Sequence, residues 1–509
     1  MKAQIIVMDF GSQYAHLIAR RVRDLGVFSL VVSNELSADD ITAGFPDLKG
    51  IILSGGPDDV VDKGAPQCDR KIFELDVPVL GLCYGHHIIG HYLGGTVGVG
   101  AGREYGVMKL KVDKKDGLLK GFGSVENVWM NHGNSVIGLP PGFEAAARTD
   151  NCIAVIQNKS RKIYGVQFHP EVTHTKRGKV LFSNFVFGIC SAKKDWNMER
   201  FIGDEIEKIK EQVGGRRAII GLSGGVDSSV AAVMMSRAIG KKLTAVFVDT
   251  GFMRLGEPEF VRSTFSHWDM KLKMVDVRKK FYDALSGVVE PEEKRKIIGG
   301  LFIKVFNEVA SAEKAEVLVQ GTIYPDRIES GGSKNASVIK SHHNVGGLPK
   351  GMKLELCEPL RDLYKDEVRI VAEKLGIPLG LVLRHPFPGP GLAIRILGEC
   401  TREDVRIVQR ANYIVLDELE KAGEYDNVWQ AFAVLLPVKS VGVQGDARSY
   451  KRVVAVRFVN SVDAMSASFS KVPYSLLEKI STRITNEIKE VNRVVYDITN
   501  KPPGTIEWE

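Results

Sequence analysis

The amino-acid sequence predicts two doubly wound, mainly parallel α/β domains followed by a smaller α+β domain. Over residues 1–95, short apolar runs alternate with helical stretches, and the same alternation returns after residue 215. From about residue 390 to the end, strands and helices follow one another without that rhythm. The predicted domains are therefore residues 1–191, 192–385 and 386–509.

In the first domain, the apolar runs have the length of buried strands, and amphipathic stretches such as YAHLIARRVRDLG separate them. This pattern is typical of a parallel sheet with helices on both faces. Residues 96–190 contain more short β patterns, including IYGVQF. The four predicted parallel strands are QIIVMDF, FSLVVS, GIILSGG and VPVLGLC.

A charged helical stretch over residues 192–215 leads into the second domain, where each predicted strand ends in a polar or glycine-containing turn. Those strands are RRAIIGLSGG, KLTAVFVDTG and AEVLVQGT, and the segment RHPFPGPGL ends this domain. The third domain is predicted to contain a helix at EDVRIVQRANYIVLDELEKAG, strands at FAVLLPVKSV and RVVAVRFVN, and a helix at SLLEKISTRITNEIKEVN.

The composition excludes several classes of protein. Of 509 residues, 69 are basic and 62 acidic, a net charge of +7 without a basic tail, so no nucleic-acid partner is expected. No apolar run reaches the roughly 18 residues of a membrane span, and no membrane association is expected. The chain begins directly with a strand pattern, and its six cysteines lack paired spacing. We expect a cytoplasmic protein with reduced thiols.

The pentapeptide GLCYG places Cys83 at a sharp turn between an apolar strand and a helix. Its glycines permit the tight backbone, and a helix N-terminus favours thiolate. A cysteine in an apolar strand is more often a core residue, and His86 and His87 suggest a metal ligand instead. Adjacent histidines diverge on a helix, however, so the choice depends on whether the chain supplies a catalytic base.

The segment YGVQFHPE supplies that base. His169 follows a strand, and Glu171 is placed to hold the tautomer of its imidazole. Backbone N–H groups for an oxyanion hole can come from the residue after the cysteine and from the glycine turn at 54–57. The predicted catalytic residues are Cys83, His169 and Glu171, and the predicted oxyanion hole is Gly56 and Tyr84.

The motifs SGGP, GLCYG and GVQFHPE, in this order, resemble those of the class I glutamine amidotransferases over about residues 1–190. The resemblance implies that Cys83 attacks the side-chain amide of glutamine, while His169 transfers protons to the departing ammonia. One position departs from the family pattern, which ordinarily has glutamine where this chain has His87. That change concerns the recognition of glutamine.

The heptad SGGVDSS joins a strand to a helix and predicts a phosphate-binding loop. Backbone N–H groups and hydroxyls can surround phosphate oxygens, and the loop is not a Walker A motif because it lacks the G-K-[ST] ending. Asp227 would repel phosphate unless a cation lay between them, so we predict Mg²⁺ there. The predicted loop residues are Ser223, Gly224, Gly225, Val226, Asp227, Ser228 and Ser229.

SGGVDSS resembles the PP-loop of the ATP pyrophosphatases, which implies adenylation of a substrate with release of pyrophosphate and no organic prosthetic group. A long polar segment follows at residues 321–351, and its charges predict a lid over the nucleotide. Lys340 could neutralise phosphate charge as an adenylate forms. The predicted lid residues are Asp326, Glu329, Lys340, His342 and His343.

Over its whole length the chain resembles the glutamine-hydrolysing GMP synthases, through PDRIESG, KSHHNVGG, CEPLRDLYKDEV, RHPFPGPGL and VVYDITNKPPGTIEWE. The resemblance implies that XMP is adenylated by ATP-Mg²⁺ and aminated to GMP with glutamine-derived ammonia. It also implies a homodimer formed through the C-terminal domain, which contacts XMP. The residues that match the family motifs for XMP are Arg295, Gln430, Lys501, Ile506 and Glu507.

Two other functions are compatible with parts of this pattern. A PP-loop ligase related to NAD or argininosuccinate synthetases would activate a different oxygen. A regulatory protein could keep the nucleotide-binding fold without chemistry, although the complete cysteine, histidine and glutamate set argues against that. Within the family, a synthetase that depends mainly on free ammonia is a third alternative.

Overall fold

The computed structural model describes residues 3–326, 354–444, 446–461, 464 and 466–509. The chain divides into two compact units, Met1–Phe201 and Ile202–Glu509. Among the described residues, no helix has the length and apolar character needed to cross a membrane.

The first unit contains eleven strands and four helices in its described residues, and the division from the second unit falls within a fifth helix, α5. The strands are β1 (Ile5–Asp9), β2 (Ser29–Ser33), β3 (Gly50–Leu53), β4 (Val79–Leu82), β5 (Thr96–Gly98), β6 (Glu104–Val112), β7 (Val125–His132), β8 (Ser135–Gly138), β9 (Glu144–Arg148), β10 (Ile153–Asn158) and β11 (Ile163–Val166). The helices are α1 (Ala15–Arg23), α2 (Ala38–Gly44), α3 (Tyr84–Tyr92), α4 (Gly178–Ser183) and α5 (Met198–Val213).

Nine of these strands form one sheet in the order β2-β1-β3-β4-β11-β10-β9-β6-β7. The first five are parallel, and the remaining neighbours pair antiparallel. The four predicted parallel strands are confirmed as β1 to β4. Every residue of β3 and β4 is buried, as expected for parallel strands covered on both faces. The turns that follow β3 and β4 are therefore anchored in a fully buried part of the sheet.

The second unit continues with nine strands and eight helices in its described residues. The strands are β12 (Ala218–Gly221), β13 (Leu243–Asp249), β14 (Lys271–Asp276), β15 (Val317–Val319), β16 (Glu355–Cys357), β17 (Gln430–Gln444), β18 (Ala447–Asn460), β19 (Ser468–Phe469) and β20 (Val491–Asp497). The helices are α6 (Val226–Ile239), α7 (Glu257–Phe265), α8 (Arg278–Ala284), α9 (Pro291–Ala312), α10 (Lys365–Leu375), α11 (Leu379–Val382), α12 (Arg402–Lys421) and α13 (Tyr474–Glu487).

Strands β12 to β16 form a five-stranded parallel sheet in the order β14-β13-β12-β15-β16. Strands β17 and β18 form a long antiparallel hairpin, which β19 extends and against which β20 lies parallel. The mixed α/β architecture thus agrees with the predicted fold class. The last predicted helix extends too far, because α13 ends at Glu487 and β20 begins at Val491.

One hydrophobic core joins the C-terminal strands to the parallel-sheet part of the second unit. It contains Phe252 and Leu285 from the segments after β13, and Leu392, Val454 and Ile480 from the later part of the chain. Burial of these large side chains stabilises both parts together. The C-terminal α+β region is therefore packed as part of the second unit.

Candidate active sites

Cys83 stands at the elbow between β4 and α3. Its backbone has φ 50° and ψ −102°, in the region that residues other than glycine rarely occupy. A Cβ on Gly81 would lie 2.3 Å from the carbonyl oxygen of Gly85, and a Cβ on Gly85 would lie 2.5 Å from that of Leu53. Both glycines are therefore required by close packing of strand against helix, and this packing holds Cys83 in place.

His169 and Glu171 lie in the segment that follows β11. Nδ1 of His169 is 2.7 Å from Oε1 of Glu171, and the two side chains are 5% and 1% exposed. Burial has the largest effect on the pKa of His169 and lowers it, but hydrogen bonds and charges of Cys83 and Glu171 outweigh burial and raise the pKa to about 11. The site therefore favours a protonated imidazole beside the cysteine.

Cys83 and His169 meet beside Gly55. A Cβ on Gly55 would lie 3.6 Å from Cε1 of His169 and 3.8 Å from Cβ of Cys83. Nε2 of His169 is buried and makes no regular hydrogen bond with the described residues, whereas the Cys83 side chain is close enough to raise the pKa of the ring. The structure thus brings the three predicted catalytic side chains together, with Nε2 available for proton transfer.

The predicted oxyanion-hole residues also converge on the elbow. A Cβ on Gly56 would lie 2.8 Å from the carbonyl oxygen of Phe10 and 3.2 Å from the Tyr84 ring, so only glycine fits. The N–H of Gly85 donates to the carbonyl oxygen of Ser54 at 3.0 Å and fixes the turn against α3. The N–H of Tyr84 belongs to the first turn of α3, where backbone donors have no partner within the helix.

His87 lies one helical turn after Cys83 and is buried. Its Nε2 is 2.9 Å from Oε1 of Gln167, and Nε2 of Gln167 is 3.9 Å from Sγ of Cys83. Burial lowers the pKa of His87 to about 4. Sequence reasoning did not single out Gln167, although it lies within the GVQFHPE motif.

In the second unit, the heptad 223–229 forms the turn between β12 and α6. Gly224 has φ 76°, and a Cβ there would lie 2.3 Å from Oε1 of Glu257. The hydroxyls of Ser223 and Ser228 are 3.1 Å apart, whereas the buried Ser229 hydroxyl donates to the carbonyl oxygen of Gly225 at 2.7 Å. Ser229 therefore supports the loop, while Ser223 and Ser228 lie at its exposed side.

Asp227 has one oxygen in an ion pair and one without a hydrogen-bond partner in the part of the chain that the structure describes. Oδ2 is 2.5 Å from Nζ of Lys365, at the first turn of α10. Oδ1 is buried and has no hydrogen-bond partner among the described residues. A carboxylate oxygen with unused lone pairs fits a magnesium ligand, since Mg²⁺ binds through oxygen. Lys365 was not identified from the sequence, because it is distant from the loop in the chain.

A second cationic side chain reaches the same loop from the RHPFPGPGL segment. Arg384 holds the buried Glu257 through two hydrogen bonds of 2.7 and 2.6 Å, and its Nη1 is 3.5 Å from the carbonyl oxygen of Gly224. This bidentate pair fixes the guanidinium next to the turn.

The C-terminal segment docks on the hairpin strands. Arg395 makes two hydrogen bonds to Glu507, of 2.9 and 2.7 Å, and Nε2 of Gln430 donates to Glu507 at 2.9 Å. Ile506 and Trp508 pack against the cluster of Phe432, Val434 and Ala455. The structure therefore brings together Gln430, Ile506 and Glu507, three of the residues matched to XMP binding.

The other two residues matched to XMP binding, Arg295 and Lys501, have different partners. Arg295 donates to the main-chain oxygen of Glu509, which places it at the end of the docked segment. Lys501 donates to the carbonyl oxygen of Ala464 at 2.8 Å.

Three family models match consecutive parts of the chain. They are glutamine amidotransferase class I over residues 6–189, NAD synthase over 197–322, and GMP synthase C-terminal domain over 417–508.

Full-length relatives match the whole chain. A protein of Aquifex aeolicus named GMP synthase (glutamine-hydrolyzing) is 52% identical over 507 residues, covering 99% of each chain. One of the same name from Fusobacterium nucleatum is 52% identical over 512 residues and covers all of both chains. The chain belongs to the glutamine-hydrolysing GMP synthase family. This member of the GMP synthase family therefore contains regions that match the glutamine amidotransferase, the NAD synthase and the GMP synthase C-terminal domain models.

Of the lid residues predicted for this family member, Asp326 lies just after β15, and the N–H of Ile323 contacts its carboxylate at 3.5 Å. Glu329, Lys340, His342 and His343 lie outside the described residues.

The first unit also contains a buried cluster of Glu104, His132 and Cys152 whose ligand atoms lie within 4.8 Å of one another. Glu104 accepts from Nε2 of His132 at 3.1 Å, from the Cys152 thiol at 3.3 Å and from Asn151 at 3.2 Å. Nδ1 of His132 is 2.9 Å from the carbonyl oxygen of Asn134. These groups satisfy one another, so the cluster is explained as a hydrogen-bond network.

Proposed function

We propose that this protein synthesises GMP: it hydrolyses glutamine, adenylates XMP with ATP, and aminates the adenylate to give GMP, AMP and pyrophosphate. It is thus a C–N bond-forming ligase of purine nucleotide biosynthesis. The observation that carries this function is the presence, in one chain with full-length relatives of that name, of a buried Cys83–His169–Glu171 set and a phosphate-binding loop.

In the glutaminase reaction, Sγ of Cys83 attacks the side-chain amide carbon of glutamine. The N–H groups of Gly56 and Tyr84 stabilise the oxyanion. His169 gives its proton to the amide nitrogen, and ammonia leaves. Water then attacks the thioester, with His169 taking its proton, and glutamate and the thiol are released. Glu171 keeps Nε2 of the imidazole directed at the reacting atoms.

In the synthetase reaction, the 2-oxygen of XMP attacks the α-phosphorus of ATP and pyrophosphate leaves. Ammonia then attacks C2, the purine carbon that carries this oxygen, and AMP departs. Residues 223–229 hold the leaving pyrophosphate through backbone N–H groups and the hydroxyls of Ser223 and Ser228. The residues proposed to contact XMP are Arg295, Gln430, Lys501, Ile506 and Glu507.

Mg²⁺ is proposed to accompany ATP, and Asp227 would hold it through Oδ1, which has no hydrogen-bond partner among the described residues. The ion would neutralise phosphate charge and make pyrophosphate a better leaving group. The lid residues Asp326, Glu329, Lys340, His342 and His343 are proposed to cover the nucleotide, with Lys340 adding positive charge.

We assign the glutaminase to residues 1–191, the ATP pyrophosphatase to 192–385, and XMP contacts and homodimerisation to 386–509. Exposed apolar side chains near the tip of the hairpin, among them Val441, Val443 and Tyr450, support a contact surface there. The six cysteines are all free thiols, which is compatible with a cytoplasmic location.

The test is incubation of the protein with XMP, ATP, Mg²⁺ and either glutamine or ammonium, followed by separation of nucleotides. We expect GMP and AMP in equal amounts from both nitrogen donors. The Cys83→Ala variant should lose the glutamine-dependent reaction and keep the ammonium-dependent one. Absence of GMP with either donor would refute the function, and loss of both activities in the variant would refute the division between two sites.

A further inference from the structure

His87 and Gln167 form a buried pair beside Cys83, and the glutaminase mechanism described above does not use either residue. Both side chains are buried, Gln167 completely. Strands β4 and β11 are parallel neighbours with Leu82 opposite Val166. Cys83 and Gln167 are the residues that directly follow these two on the adjacent strands. The position of Gln167 beside the sulfur is therefore set by the sheet register.

The amide of Gln167 can face Cys83 through either its oxygen or its nitrogen, with opposite effects on a thiolate. An amide oxygen only accepts hydrogen bonds, so the 2.9 Å contact requires His87 to carry its proton on Nε2. The NH₂ group of Gln167 then points to Sγ of Cys83 at 3.9 Å. This is the outer limit of an N–H···S contact, and it can shorten when the sulfur becomes charged.

We infer that His87 is a positioning residue for the glutaminase: by donating to the amide oxygen of Gln167, it turns the Gln167 NH₂ group toward Cys83 and stabilises the thiolate. This inference rests on the proposed function of Cys83. His87 lies four residues after Cys83, and its backbone N–H donates to the carbonyl oxygen of Cys83 at 3.1 Å. The same helical turn therefore carries the nucleophile and the group that orients its neighbour.

A neutral histidine can fill this role, provided that its one N–H is on Nε2. The pKa of His87 is lowered to about 4 by burial, so the ring is neutral at neutral pH. A neutral imidazole has one donor, and the contact with Gln167 uses it.

The experiment compares His87→Leu, which removes the donor, with His87→Gln, which keeps an N–H donor of similar length. For His87→Leu we expect glutaminase kcat to fall about ten-fold, since the NH₂ group of Gln167 is no longer held toward the charged sulfur, with little change in the KM for glutamine. Alkylation of Cys83 by iodoacetamide, followed by mass spectrometry of its peptide, should slow by a similar factor. His87→Gln should recover most of both rates.

Gln167→Met should reproduce the His87→Leu defect, and the double variant should be no worse than either single one, because the two residues act in series. The matched control is His91→Leu, one turn further along α3 and exposed, which should change neither rate. Calorimetric unfolding with a wild-type transition for the first unit, Met1–Phe201, establishes that each variant is folded.

Three results would overturn the inference: a rise in KM with unchanged kcat, which would mean direct contact of His87 with glutamine; additive losses in the double variant; or normal alkylation of Cys83 in His87→Leu. Failure of the proposed function itself is recognised separately, because the wild-type protein would then form no GMP with either nitrogen donor. Glutaminase activity that survived Cys83→Ala would instead refute the role of Cys83.

Discussion

The cysteine elbow and the phosphate loop share a local architecture but differ in how they are closed. Each is a turn from the end of a buried parallel strand into a helix, β4 to α3 and β12 to α6. At the elbow, the His169 and Glu171 side chains are 5% and 1% exposed. At the loop, Lys365 and Asp227 are 46% and 31% exposed. The elbow is thus preorganised by packing, whereas the loop holds charges that can exchange partners. We call the site at Cys83, His169 and Glu171 the closed site and the loop at residues 223–229 the open site.

The largest expected effect is at the closed site. Glu171→Gln should lower glutaminase kcat by about 10³-fold, because the imidazole loses the carboxylate that holds its tautomer and charge. Ammonium-dependent GMP formation should be unchanged. Asp150→Asn, an exposed carboxylate of the same unit, is the control and should have wild-type glutaminase activity. Normal kcat in Glu171→Gln would mean that packing alone orients His169.

At the open site, Lys365→Met should raise the KM for ATP about ten-fold, because a cation next to the phosphate loop is lost. Glutaminase activity should not change. Lys374→Met, at the other end of α10 and exposed, should leave the KM for ATP at the wild-type value. An unchanged KM in Lys365→Met would show that its contact with Asp227 is structural only.

The two turns should respond differently to an added methyl group. Gly85→Ala should destabilise the protein by about 1–3 kcal/mol, since its Cβ would lie 2.5 Å from a backbone oxygen. At Gly225 the only close neighbour of a Cβ among the described residues is the Ser223 hydroxyl at 3.3 Å. Gly225→Ala should therefore unfold near the wild-type temperature, as measured by calorimetry. Equal losses of stability at both glycines would contradict the distinction between closed and open turns.

The pH dependence of stability should also depend on the closed site. The pKa of His169 is raised from 6.5 to about 11 in the folded protein. A raised histidine pKa contributes stability that is complete below pH 6.5 and is lost as the pH rises toward 11. Urea unfolding at increasing alkaline pH should show a smaller loss of stability in Glu171→Gln than in the wild type. An equal loss would assign the pH effect to other groups.

The smallest expected effect is that of salt. Exposed charges are screened over about 10 Å at 0.1 M ionic strength, and buried pairs much less. The KM for ATP should therefore rise with added potassium chloride, while glutaminase kcat stays nearly constant. A parallel response of the two reactions would indicate that the glutaminase site is also open to solvent.

The sequence by itself determined the parts of this protein that depend on short-range constraints. The alternation of apolar runs predicted the parallel strands, and the glycines around Cys83 and within residues 223–229 predicted both turns, because tight strand-to-helix turns have few solutions. The end of α13 was predicted too late, since helical periodicity does not reveal where a strand takes over.

Only the tertiary structure decided which distant groups complete each site. Gln167 lies beside Cys83 because two parallel strands are in register, and Lys365 reaches Asp227 across 138 positions of the chain. The common core of the second unit likewise joins segments that the sequence separates into domains. Such contacts depend on which surfaces pack together and on the burial of charge, and no local residue pattern encodes either.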